Sequence, residues 1–530
     1  MSMDKQMSRL WQRVDPAARA AFFSCFMVGY LAHLFAFANL IPNADGLSRV
    51  YDPQQMTVSG RWFLHYASAL NDFTQMPAAI GLVTMVLLGL AAALTVDILK
   101  IRGRVAAGLW GAIMAAFPCL GYTFLYMFTA SAYALAILLA AGSVWLARRG
   151  DRWSLLGPVL LALAMGIYQA YVTVAIGLAL LAVLRETLEP SATFQRTMRL
   201  GVRFVVHLAV GAVLYYAILM VFLKVKGLEL LSYLGMDAAS SGYPIGQLPR
   251  LIFSAYWQTA TFFFKPGSAN AFATGWMMVL DLVALAVGAA CFFARVGSKR
   301  LKGEPWRLVG GLCMIALLPL GLNFMRVLSP YSDPTPLMKY SFVLVYGAVL
   351  MLADGAESTR RLKRGWEYVP VVWAVLLLLF CVNTDNLLYT ATAQSHRATE
   401  SYATRMLSRI ESCPGYEKDM EIVVIGAPDE SQLRTRIPTF FQVDHYSVPL
   451  NTVTHLNKHL YYYFNDWLNV PVDEPDEETM IAVSDSAAFK AMPLYPADGS
   501  VQVVDGRVVV KVQKTYTPKS DFELAYENRR

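Results

Sequence analysis

Residues 77–104 read PAAIGLVTMVLLGLAAALTVDILKIRGR. Residues 77–96 carry no charge, and the cations Lys100, Arg102 and Arg104 follow directly. About twenty apolar residues in a helix rise roughly 30 Å, the thickness of a bilayer core. A basic cluster at one end marks the side that stays in the cytoplasm. This stretch therefore decides the class: a helix-built membrane protein.

The whole chain agrees. Among 530 residues, 56% are hydrophobic and only 16% charged, against about 25% charged in soluble domains. Mean hydropathy is +0.42. These values exclude a soluble globule and a disordered chain. The net charge of +7 does not point to nucleic acid, because the cations sit in short clusters between apolar runs. Six cysteines are present, five in or beside apolar runs and Cys413 in the polar C-terminal region. No CxxC or Cys/His spacing supports zinc or a disulfide framework.

Similar runs recur. About eleven spans are expected, at 20–41, 77–98, 105–121, 129–147, 153–168, 171–188, 203–223, 271–294, 308–325, 340–355 and 369–388. One set of connections carries 21 Lys and Arg and the alternate set carries 8, which places the first set inside. The N-terminal segment 1–19 is then cytoplasmic. The region 389–530 is extracytoplasmic. The first span reads as a signal anchor, although Ala36-Phe37-Ala38 mimics a signal-peptidase site.

Two outer connections are large, 42–76 and 224–270. The second contains Phe262-Phe263-Phe264-Lys265, which reads as an amphipathic element lying at the interface. The C-terminal 140 or so residues read as a small α/β domain. Residues 395–411 suggest a helix, and Glu421–Gly426 and Met480–Val483 suggest strands. Asp505-Gly506 between two Val-rich runs is a hairpin signal.

Candidate chemistry clusters on the outer side. Asp45 follows the first span, where a carboxylate can serve as general base on an acceptor approaching from outside. It can equally cap a loop helix in water. Asp52 and Asp72 are its rivals. Arg49, Arg61, Arg250, Lys265, Arg326 and Lys339 lie where positive charge is depleted. Cations there can pair with a phosphate headgroup or simply snorkel to lipid. Asp281 stands inside the eighth expected span, an expensive place for an acid. His33 and His207 read as core histidines. Tyr168-Gln169-Ala170-Tyr171 sits at an outer tip, where its amide and phenols can hold a sugar or anchor an interface.

The first outer connection resembles that of the Gtr-type O-antigen glucosyltransferases, the GtrII group. The resemblance rests on Asp45 after the first span, Arg49 just beyond it, and Gly60-Arg61-Trp62 before the second. Tyr168-Gln169 is similar as well. The family often shows two adjacent acids, whereas Ala44 precedes Asp45 here. The resemblance implies a GT-C-like fold and an inverting transfer of glucose from undecaprenyl-phosphate glucose to a polysaccharide or lipid-linked acceptor. Asp45 would be the base, the outer cations would meet the donor phosphate, and Trp62, Tyr168 and Gln169 would position sugars. No cofactor is implied, and a metal requirement stays open. The competing class is a carrier or flippase, which calls for several intramembrane polar groups and broken helices. A non-catalytic scaffold with a wall-binding outer domain is a third.

Overall fold

The computed structural model describes residues 12–47, 57–69, 74–230, 244–265, 275–297, 303–331, 334–354, 365–428 and 457–518. It divides into two compact units. The first comprises Met1–Asn39 and Asp52–Asn386, and the second comprises Leu40–Tyr51 and Leu387–Arg530.

The first unit is helical. Among the described residues, eight helices are long and apolar enough to cross a membrane, where the sequence suggests eleven. Three places account for the difference. Pro16–Ala32 and Arg152–Ile167 are apolar but short, and the expected spans 105–121 and 129–147 fall within a single apolar stretch, Arg104–Arg149, that is interrupted at Phe117. Small residues let the helices approach closely. Gly111 is an example, since a Cβ there would stand 2.2 Å from the carbonyl oxygen of Ala21.

One end of this unit is irregular. Helix Arg104–Ala116 stops at Phe117, whose backbone is extended, and Pro118 opens the short helix Pro118–Thr123. Pro118 has no N–H for the Met114 carbonyl. The Tyr340 hydroxyl donates to that carbonyl at 2.9 Å, and His33 Nε2 donates to Ala115 O at 2.7 Å. Broken backbone at membrane depth needs such internal partners. Helix Gly157–Ile167 likewise ends at extended Tyr168, and a 3-10 turn Gln169–Tyr171 follows. A buried 3-10 run, Pro336–Val343, packs against both breaks. Eight residues exceed the usual length of this helix type.

The expected amphipathic run Phe262–Phe264 ends a helix, with Phe262 and Phe263 turned inward and Phe264 exposed. Helix Leu248–Phe264 buries Phe262 and Phe263. Their rings meet Phe342 at 4.8 and 5.8 Å, so the aromatic run fills the interior beside the 3-10 segment.

Among the described residues, the second unit carries one three-stranded sheet. β1 (Ile422–Ile425) is parallel to β3 (Arg507–Lys511), which is antiparallel to β2 (Val501–Val504). Asp505 and Gly506 both have positive φ, 50° and 76°, as the expected two-residue hairpin requires. Met480–Val483 is not a strand. It lies in helix Glu477–Asp485, where Asp476 accepts from Thr479 N and two glutamates occupy the first turn. Lys511 Nζ donates to the carbonyls of Phe489, Lys490 and Met492. A buried core of Val423–Ile425, Val508–Val510, Met406, Phe464 and Phe489 also takes in Leu47.

Candidate functional site

Asp45 lies on the 3-10 turn Ala44–Gly46 in the second unit. Its neighbours Ala44, Gly46 and Leu47 are buried, while Asp45 itself is exposed. Both sides of the turn are tied down. His396 Nε2 donates to Pro42 O at 2.7 Å, and Trp467 Nε1 donates to Leu47 O at 2.9 Å. The His396 ring stacks on Trp467 at 4.7 Å. Burial pushes the His396 imidazole down from 6.5 to about 4, against the opposing effect of its bond to Pro42, so the ring is neutral at physiological pH. The arrangement presents one carboxylate from a fixed backbone.

In the first unit, Gly60-Arg61-Trp62 docks on the Tyr168 turn, over a hundred residues away in sequence. Gln169 Nε2 donates to Ser59 O at 2.8 Å and to the Tyr215 hydroxyl at 2.9 Å. That hydroxyl donates to Gly60 O at 3.0 Å. Gly60 has a φ of +82°, and a Cβ there would stand 2.3 Å from Gln169 Nε2. The Arg61 guanidinium lies 4.4 Å over the Tyr168 ring, which stacks on Tyr133. Trp62 is only 4% exposed, stacks on Phe222 and packs against Gly166. Arg61, Trp62, Tyr168 and Gln169 thus form one cluster. Gln169 spends its two amide protons within it, while Arg61 and Tyr168 make a charged, aromatic plate.

The other expected cations are dispersed. Lys339 is buried in the 3-10 run Pro336–Val343, which packs on the Gln169–Tyr171 turn. Arg326 donates to Ser254 Oγ at 3.1 Å and to Pro330 O at 3.0 Å. Arg250 and Lys265 are exposed near the two ends of helix Leu248–Phe264. Arg49, Asp52 and Asp72 lie outside the described residues.

A cavity of about 580 Å³ opens among helices Leu248–Phe264, Gly275–Val296, Pro305–Leu322 and Leu344–Ala353. Its walls are apolar except around Asp281, whose Oδ1 accepts from the Tyr346 hydroxyl at 2.8 Å.

Sequence reading singled out Asp281 as the isolated acid within a span, yet Asp385 also falls inside 369–388. It is fully buried, and neither oxygen has a hydrogen-bond partner among the described residues. His33 Nδ1 stands 3.9 Å from Asp385 Oδ2, and a Cβ on Gly121 would strike Oδ1. Its charge inside an apolar run was the signal that could have found it. The helix break that brings Gly121 against it had no sequence signal beyond Pro118.

A family model described as Glucosyl transferase GtrII matches residues 34–352, more than half of the chain. The match includes Asp45, the Gly60-Arg61-Trp62 element and the Tyr168 turn, and stops before Asp385. No curated protein and no solved structure matches the chain.

Proposed function

We propose a specific reaction for this chain, which belongs to the GtrII glucosyl transferase family. It moves glucose from a polyprenyl-phosphate donor to an O-antigen or related surface polysaccharide, at the periplasmic face of the bacterial inner membrane. Family membership carries the coarser part: glucosyl transfer between a sugar donor and an acceptor.

The reaction is a single inverting displacement. Asp45 takes the proton of the acceptor hydroxyl as its oxygen attacks the anomeric carbon. The bond from that carbon to the phosphate oxygen breaks, and the phosphate leaves on its lipid. Arg49, Arg61, Arg250, Lys265, Arg326 and Lys339 are the candidate cations to neutralise it. A monophosphate leaving group carries less charge than a diphosphate, so side-chain cations suffice. The Tyr168 ring offers the flat apolar face on which a sugar stacks. The apolar cavity beside Asp281 suits the polyprenyl chain.

The observation that carries the assignment of the base is the Asp45 turn, an exposed carboxylate between buried neighbours on a backbone held by His396 and Trp467. Asp45→Asn keeps the shape and removes the base, which contributes about 10²–10⁴-fold. Glucosyl transfer from polyprenyl-phosphate glucose in membranes, at matched expression, should fall by that order. Near-normal turnover in Asp45→Asn with collapse in Asp72→Asn or Asp52→Asn would move the base to that residue.

One set of observations favours the carrier reading: the buried acids Asp281 and Asp385 and the helix breaks at Phe117 and Tyr168. Full transfer in all three Asn variants would remove the acid-base step from this reading and bring the carrier reading forward.

A further inference from the structure

The end of the first unit away from the broken helices holds a second, chemically different site. Helix Met127–Arg149 begins beside the irregular segment and ends at this pocket, so the two lie a full helix apart. The pocket has a volume of about 500 Å³ and is formed by the ends of four helices. Six of its ten lining residues are Lys or Arg and two are acids, Asp97 and Glu186.

Both acids are already engaged. Asp97 Oδ2 accepts from Trp145 Nε1 at 2.9 Å and lies 3.9 Å from Arg148. Glu186 is paired with Lys100 at 3.1 Å and with Arg196 at 2.8 Å. Three guanidiniums remain without a carboxylate of the pocket. Arg203 is turned onto the neutral carbonyls of Ala147 and Arg148, both at 3.4 Å. Arg149 lies 4.9 Å over the Trp145 ring and pairs with Asp151, which is not part of the pocket wall. Arg199 has no ion-pair partner among the described residues.

The excess of positive-inside residues explains the sign of this end but not its shape. A general bias needs cations only somewhere near the membrane. Here Arg196, Arg199 and Arg203 fall at helical spacing on one face of Phe194–Lys226 and point into a concavity whose other walls fix Arg148 and Lys100. Guanidinium forks at such a site match phosphate oxygens. The same helix exposes Val202, Val205 and Val206 next to the stripe. A ligand with a phosphate and adjoining acyl chains meets both surfaces at once, and a soluble phosphate meets only one.

We propose that this pocket binds the phosphate of an anionic phospholipid headgroup, with the acyl chains along the apolar face of helix Phe194–Lys226. The Lys/Arg bias puts it on the cytoplasmic leaflet. The proposal stands apart from the transfer reaction and survives its failure.

The test uses the full chain in mild detergent, with native mass spectrometry counting retained phosphatidylglycerol and phosphatidylcholine. The wild type should retain phosphatidylglycerol in preference. The double variant Arg149→Gln/Arg199→Gln should lose at least roughly tenfold in retention, the scale of one charge-assisted contact. Arg104→Gln removes an exposed cation at a neighbouring helix end outside the pocket and should behave as wild type. If the double variant folds poorly, Arg199→Gln alone replaces it, since that side chain is exposed. Equal retention of the two lipids by the wild type, or equal phosphatidylglycerol retention by wild type and variant, would overturn the proposal. So would a loss in Arg104→Gln as large as in the pocket variants. A thermal shift given equally by inorganic phosphate would overturn the lipid source.

Discussion

Gly60 meets two constraints at once, a left-handed backbone and a wall of two side chains. The strain alone costs an L-residue about 1–2 kcal/mol. Gly227 has a similar φ of +64° with nothing within 4 Å of a Cβ, so Gly227→Ala isolates the strain. Gly60→Ala should lower the unfolding temperature of the detergent-solubilised chain by clearly more than Gly227→Ala. Equal shifts would mean that Gln169 and Tyr215 yield without cost. His396 gives a pH signature of its own. Its folded value lies near 4 and its ordinary value near 6.5, so the unfolded chain binds the proton first. His396's contribution to the stability of the second unit should be fully present above about pH 6.5 and be lost as pH falls toward 4. Fluorescence of Trp467, which stacks on His396, should report the transition, and His396→Gln should flatten it. At this scale the sequence was informative about kind and weak about place. Arg61, Trp62, Tyr168 and Gln169 could each be picked for their chemistry, but nothing local said that Gln169 would bond to Ser59.

At the scale of elements, the break at Pro118 depends on donors from other parts of the chain. Tyr340→Phe leaves the Met114 carbonyl without its hydroxyl. An unsatisfied buried acceptor costs about 1–3 kcal/mol, which thermal unfolding of the variant should show. A neutral result would point to water or a 3-10 adjustment taking over. The long apolar helices were legible because hydropathy acts over about twenty residues. The Asp505-Gly506 hairpin was legible because only certain residues accept positive φ at both positions. Met480–Val483 was misread because a short apolar run has no decisive period, and the Asp476 cap outweighed it. The 3-10 run Pro336–Val343 carried no signal of its own, since it is set by burial against two helix breaks.

At the scale of the whole molecule, the second unit is discontinuous. Leu47 belongs to its core although the rest of that core begins after residue 387. Removing such a buried side chain typically costs 2–5 kcal/mol. Leu47→Ala should therefore make the C-terminal unit of the full chain more susceptible to limited proteolysis. Unchanged cleavage would detach the 40–51 segment from that unit's stability. Orientation is tested separately: a reporter active only outside the cytoplasm, fused after Arg530, should be active. No composition shift marks residues 40–51 as part of a distant domain, because the partners that hold them are separated by the entire helical unit.

That discontinuity also sets an order of events during synthesis. Asp45 leaves the ribosome early, but Trp467, which anchors its turn, is made 422 residues later. At about 5–20 residues per second the wait is roughly 20–80 s. Until then the turn at Asp45 lacks the His396 and Trp467 bonds that hold its backbone, so most of the helical unit is made before this turn is tied down. On the proposed reading of Asp45 as the base, synthesis of His396 and Trp467 then sets the earliest moment at which the site is ready.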